Sequence, residues 1–418
     1  MKYKKGQRYS VESVEKRKKS KRDVLSYEDV PLEEYQEEKY RISKDAVKKI
    51  LIAVAVLVVV GLIVFAISNR ENLTCEKIGN WVKYDLFGSH DNGYPVQLTG
   101  TNVAEGNFIS NGDICYVSDT SYQAFTKAGN EEGYNQHSFS SPVLRTSGDY
   151  VLIYNLGGNG YVTGKKSKLN SIKDTDQYIL CGDINSKGAF CIVTQADGYL
   201  SKLTAYNKDE ELLYSYYFSD YYIQSGAINE DGNGAVACGI TGDNGSLSSV
   251  AYVLSFSSEQ PVATHSLQSN IIYQTDYLTN SKVCMIGSDA SYTLNTSNND
   301  LNAIEYDKME LTNYDIDPDT DCFVLSLSRS GDGRMCSIEY FNSDGSPQNV
   351  NDTDYAVDSI SLYKGRIAIL SGSTAYLFDT NGNEVSSVDP GNGAKAIRLA
   401  GADSAYILGI NEIRMINF

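Results

Sequence analysis

The chain has 418 residues, a formal net charge of −17, thirty-two tyrosines, one tryptophan and three histidines. That acidity excludes a nucleic-acid backbone as partner, which needs a basic stripe. With histidine so scarce, no clustered His or Cys spacing suits a zinc site. The charge is also uneven: residues 1–49 carry fifteen Lys/Arg against ten Asp/Glu, and residues 69–418 carry twenty-one against forty-three.

Residues 1–47 read as a disordered cytoplasmic tail. A basic cluster at Lys16–Arg22 is followed by an acidic one at Glu28–Glu38, broken by Pro31. Few large apolar residues accompany them, too few to offset the entropy of ordering. The basic run suits anionic headgroups at roughly 1 kcal/mol per charge near a membrane surface. The alternation Val24, Leu25, Tyr27, Val30, Leu32, Tyr35 offers a short motif for a cytoplasmic partner.

Ile50–Ile67 is an eighteen-residue run without a charge. As a helix it would cover about 27 Å, close to the ~30 Å hydrocarbon core of a bilayer. The expectation is a transmembrane helix over 48–68, with signal cleavage at the small pair Ala66 and Ser68 as the alternative. Arg41, Lys44, Lys48 and Lys49 precede the run, so the N-terminus is expected in the cytoplasm and the acidic body outside, at the cell membrane. Residues 69–93 follow as a stalk or apron that contains Trp81, expected to cover a neighbouring sheet edge.

Residues 94–418 read as all-β: short apolar alternations bounded by Asn, Asp, Gly and Ser, with no amphipathic helix. One buried-strand motif recurs eight times, at Gly112-Asp-Ile-Cys-Tyr-Val, Gly148-Asp-Tyr-Val-Leu-Ile, Gly188-Ala-Phe-Cys-Ile-Val, Gly234-Ala-Val-Ala-Cys, Ser281-Lys-Val-Cys-Met-Ile, Thr320-Asp-Cys-Phe-Val-Leu, Gly365-Arg-Ile-Ala-Ile-Leu and Asp403-Ser-Ala-Tyr-Ile-Leu. A second motif, an aromatic strand end before a polar turn, begins at Phe125, Tyr206, Phe256, Phe341 and Phe378, with weaker copies at Val162 and Leu294. Periods of ~40 residues with about four strands each mark propeller blades. The prediction is an eight-bladed β-propeller, with seven blades as the alternative because two copies are weak. Phe418 falls where a third strand should end, so Tyr94–Thr99 is expected to pair with Asn411–Ile416 and close the ring, with Val103–Ser110 as the first strand of the first blade.

The unit Tyr376-Leu-Phe-Asp-Thr-Asn-Gly-Asn-Glu-Val resembles the repeats of quinoprotein-like eight-bladed propellers. The whole arrangement over residues 70–418 also resembles an uncharacterised family of membrane-anchored propeller-like surface proteins of Gram-positive bacteria. The resemblance implies a fold and a cell-surface location, and no activity. Quinoprotein dehydrogenases dock their cofactor with tryptophan motifs and often carry a vicinal disulfide; this chain has neither, so no cofactor is expected.

Other chemistry leaves faint signals. Asp315, Asp317, Asp319 and Asp321 alternate, so on an extended segment they would face one way and offer oxygens to calcium. Asp379-x-Asn381-x-Asn383 opens like a calcium loop, but Asn381-Gly382 is a hairpin signal. The cysteines sit early in the buried-strand motif and suit small apolar fillers; cross-strand bonds between Cys181 and Cys191, or Cys322 and Cys336, are the alternative. The leading functional expectation is a membrane-tethered binding or scaffold module for an extracellular protein or glycan. The alternative is a surface hydrolase or lyase using carboxylates at the propeller centre. Convergent carboxylates or a histidine in the channel would favour the enzyme, and a broad aromatic or acidic face the binding module.

Overall fold

Each of the eight buried-strand motifs forms the second strand of its own antiparallel sheet, and the eight sheets stand in sequence as blades. The computed structural model describes residues 93–100, 102–243, 245–329 and 333–418. The expected tail, transmembrane run and all but the last residue of the stalk lie outside these. No helix among the described residues is long and apolar enough to cross a membrane.

The first strands of blades 1 to 8 are Phe108–Asn111, Pro142–Ser147, Ile179–Ile184, Tyr222–Ile228, Ile272–Tyr277, Glu310–Asp317, Ser359–Tyr363 and Ala396–Leu399. Each is followed by three antiparallel strands stepping outward, and blade 2 has its outer edge split into Lys168–Leu169 and Lys173–Asp174. The seven-blade alternative is thereby excluded. Both weak turn motifs mark real third strands, Gly160–Lys165 and Ala290–Asn295. The first strand of blade 1 begins later than expected, because Glu105–Asn107 form a 3-10 turn.

What makes eight sheets a ring is that the second strand of each blade is buried on both faces. The chain's apolar residues gather in eight clusters, every one shared by two adjacent blades. Cys115, Val117 and Tyr122 of blade 1 pack on Leu144, Val151 and Ile153 of blade 2. Phe108, Ile114 and Tyr116 of blade 1 pack on Ala396, Tyr406 and Leu408 of blade 8, so no blade is left with an open face. Each fully buried Leu, Ile, Val or Phe contributes about 1.5–3 kcal/mol.

Blade 8 has three strands of its own and takes its fourth from the start of the domain. Val96 pairs with Ile413 and Gln97 with Glu412, and the Leu98 N–H donates to the Asn411 carbonyl (2.9 Å). The ladder is shorter than Tyr94–Thr99, but Tyr94 extends the closure by stacking obliquely on Tyr406 at 5.4 Å. Gly93 donates its N–H to Ala128 O (2.9 Å), in the turn between the third and fourth strands of blade 1. Gly93 therefore lies on the face that carries those turns.

Seven cysteines of the blades are free and buried. The cross-strand alternative fails on register: Cys191 pairs with Asp183, while Cys181 pairs with Val193. Cys322 and Cys336 sit at opposite ends of one strand pair, opposite Asn342 and Ser328. Denatured protein is expected to titrate at least seven thiols without reductant, and native protein almost none; a lower denatured count would show a disulfide. For ring closure, a fragment starting at Gly100 is expected to melt several degrees below one starting at Gly93. It loses the buried Val96 and uncovers Ile413, a change of about 2–5 kcal/mol for a large side chain removed from a core. Equal melting temperatures would show that this strand does not close the ring.

Candidate functional site

The first strand of every blade pairs on one side only, so its other edge presents N–H and C=O groups that need partners. At most junctions polar side chains near the ring centre take part, between blades 2 and 3 backbone meets backbone, and two junctions are joined side chain to side chain. Asn107 accepts the Leu144 N–H (2.9 Å), and the Gly157 N–H donates to Ile179 O (2.9 Å). Asp183 accepts the Ile228 N–H (3.0 Å), Ser225 donates to Thr275 (3.0 Å), and the Tyr314 hydroxyl donates to Gln274 (3.0 Å). Asp315 accepts the Leu362 N–H (2.7 Å), Ser361 accepts the Leu399 N–H (3.0 Å), and Ser110 donates to Leu399 O (2.7 Å).

Inside this stitching lies a cavity of about 780 Å³ that Glu105, Arg145, Asp183, Asp276, Asp315 and Arg398 line with charge. Burial pushes the Asp183 carboxyl up to about 8; Asp276 adds to the rise, and the Ile228 N–H and Arg145 oppose it. Asp276 is raised too, chiefly by burial, with Arg145 opposing. Asp315 is raised by burial against the pull of Arg398 and the Leu362 N–H. Burial alone would lower Arg145, but Tyr154, Asp276, Asp183 and Tyr314 around it more than reverse this. Arg398 lies 3.5 Å from Glu105 and donates to Ile360 O (3.1 Å) and Ile397 O (2.8 Å).

The channel thus does converge carboxylates, as the enzyme alternative requires. Two of them are already occupied, since Asp183 and Asp315 hold backbone N–H groups of the next blade. Neither described histidine lines the cavity: His137 follows the outer strand of blade 1, and His265 lies in the outer strand of blade 4.

The four aspartates singled out for calcium part company. Asp315 and Asp317 end the first strand of blade 6, Asp319 lies in a 3-10 turn, and Asp321 follows it with φ +56°. Asp317 accepts the N–H groups of Lys364 (2.7 Å) and Asp319 (3.1 Å) and the Thr320 hydroxyl (2.8 Å), which is a turn cap and a blade stitch at once. Among the described residues, no three His, Cys, Asp or Glu side chains are grouped as a metal site would need. Asp379 is likewise a turn former, accepting the N–H groups of Asn381 and Asn383 at 2.9 Å each.

The second feature is a face. First and third strands begin on the side of the ring that carries the second-to-third turns and the connections between blades. There Tyr178, Tyr199, Tyr217, Tyr222, Ile271 and Tyr273 are exposed, each by 39–54%. They occupy neighbouring blades 3 to 5, and Tyr199 and Tyr217 contact with centroids 4.9 Å apart. Composition alone does not separate these tyrosines from the buried ones, since exposure depends on where each one falls in its strand. This aromatic face is opposite the one where Gly93 meets the ring.

The channel makes a pH prediction. Unfolded Asp183 ionises near the ordinary value of about 3.9, whereas folded Asp183 ionises near 8. Between those values the folded state holds the extra proton, so stability falls as pH rises and levels off above about 8. Asp183→Asn keeps an acceptor for Ile228 and removes the titration. Its melting temperature is expected to decline less between pH 5 and 8 than that of the wild type; parallel curves would contradict the assignment.

No curated protein matches the sequence. Among solved structures, the crystal structure of BamB from Moraxella catarrhalis is similar with a TM-score of 0.47 at 9% identity, covering 78% of this chain and 100% of that one. Hsv2 from Kluyvelomyces marxianus aligns with a TM-score of 0.45 at 7% identity over 66% of this chain and 98% of that one. Kuenenia stuttgartiensis hydrazine synthase gives 0.44 at 11% over 77% and 97%. The model of a family of unknown function matches residues 92–418, so the chain belongs to that family, DUF5711.

Proposed function

We propose that this protein is a membrane-tethered binding module that holds its propeller outside the cell and presents the aromatic face to a surface protein or glycan. The observation that carries this reading is the gathering of Tyr178, Tyr199, Tyr217, Tyr222 and Tyr273 on one face of blades 3 to 5. Contiguous exposed apolar surface marks interaction sites, and tyrosine brings large contact area with a hydroxyl that stays wet. The other half of the reading rests on the uncharged run Ile50–Ile67 and the basic residues before it, which favour a single-pass tether with a cytoplasmic N-terminus.

Catalysis by channel carboxylates, as in a hydrolase or lyase, is the second reading, and the raised carboxyls of Asp183 and Asp276 favour it. It ranks second because Asp183 and Asp315 already serve as acceptors across blade junctions.

The test places a photo-crosslinking residue at Tyr222 or at Lys187, which lies in a first-to-second-strand turn on the other face, in intact cells. The expected outcome is a discrete adduct from position 222 and none from 187, with ring lysines labelled by an impermeant amine reagent before lysis. Adducts from both positions alike, or labelling only after lysis, would count against this function.

A further inference from the structure

The end of blade 3 combines aromatic rings with carboxylates in a repeated order. Asp176 precedes Tyr178 in the connection that leads into this blade, Asp197 precedes Tyr199 in its second-to-third turn, and Asp220 precedes Tyr221 and Tyr222 in the connection that leaves it. Tyr217, near the end of the blade's outer strand, closes the group against Tyr199 at 4.9 Å. The three aspartates are exposed. None of them forms an ion pair among the described residues. Asp197 accepts only an amide hydrogen from Gln177 (3.1 Å).

A surface of this kind has a chemical preference. Aromatic faces attract cations, and more strongly as water is displaced; carboxylates between the rings add long-range attraction for positive charge. The protein already fills one such position itself, with the Lys202 ammonium 5.1 Å from the centre of the Tyr217 ring. A neutral glycan would use the rings and leave three carboxylates unanswered, and a second copy of this acidic chain would meet them with like charge.

We infer that the aromatic face of blades 3 and 4 receives an extended basic polypeptide segment, its Lys or Arg side chains laid on Tyr178, Tyr199 and Tyr222 between Asp176, Asp197 and Asp220. The inference rests on the binding-module reading and names the chemistry of its partner. Extended rather than helical is the form that fits, because the Asp-Tyr units are spread across successive loop ends.

The probe is a fluorescein-labelled twelve-residue peptide of alternating Lys and Gly, titrated by anisotropy against the purified full chain in mild detergent at 50 and 300 mM salt. Saturable binding that weakens at high salt is expected. Tyr178→Ala with Tyr222→Ala, and separately Asp197→Asn with Asp220→Asn, should each weaken it about fivefold or more. Asp319→Asn with Asp321→Asn, on the opposite face, should change it less than twofold, and all variants should keep the wild-type melting temperature. Equal losses in the three variants would show attraction to overall charge and overturn the inference. So would no binding at 50 mM salt, or saturable binding of chitohexaose or self-association with no peptide binding. If the peptide result fails while position 222 still crosslinks in cells, the binding module stands and only its basic partner falls.

Discussion

Everything in this molecule follows from a sheet that is apolar on both faces. A four-stranded blade whose second strand reads Phe-Cys-Ile-Val or Lys-Val-Cys-Met-Ile cannot rest one face in water, so each blade needs two neighbours. Eight shared clusters satisfy eight blades only if the row closes on itself. Closure falls to a short element, two residues of ladder at Val96–Gln97, supported by Tyr94 against Tyr406. The seam is short because the ring's stability comes from face-to-face packing, and the strand's task is to cover Ile413 and fix the end of the chain.

The same geometry decides what the centre looks like. First strands converge with one unpaired edge each, and the junctions answer with side-chain acceptors such as Asp183, Asp315 and Ser361. Burial raises both Asp183 and Asp276, Asp276 adds to the rise of Asp183, and Arg145 is their counter-charge. A channel of this kind looks like a catalytic centre by its pKa values. Hydrogen-bond accounting gives it a structural explanation first.

Legibility in the sequence varied with burial. The second strands were all visible, because continuous apolar runs between Gly or Asp turns have few other readings. The outer strands were nearly invisible: Glu131–Gln136 and Glu384–Val388 are largely solvated, so alternation there is diluted by polar residues. The closing strand could be found because a fourth strand was missing at Phe418. The channel could not, since each blade gives it one or two residues separated by a whole repeat. Asp315 and Asp317 drew notice through their spacing, which suggested calcium, while their use as cap and stitch depends on a blade 7 strand more than forty residues away. Aromatic content was plain from the sequence, but not which tyrosines are buried and which are exposed, which depends on where each falls in its blade.

The two features therefore carry different weight. The channel is explained by the ring; the tyrosines of blades 3 to 5 are not, because a propeller closes equally well with polar residues at those loop ends. Surface that the fold does not require is the better place to look for function. The most direct test compares complexes extracted from cells by sedimentation after gentle solubilisation. A channel variant, Asp183→Asn with Asp276→Asn, should sediment with the same partner mass as the wild type, while Tyr199→Ser with Tyr222→Ser should sediment as the bare chain. Loss of the complex in the channel variant and its survival in the face variant would contradict the account.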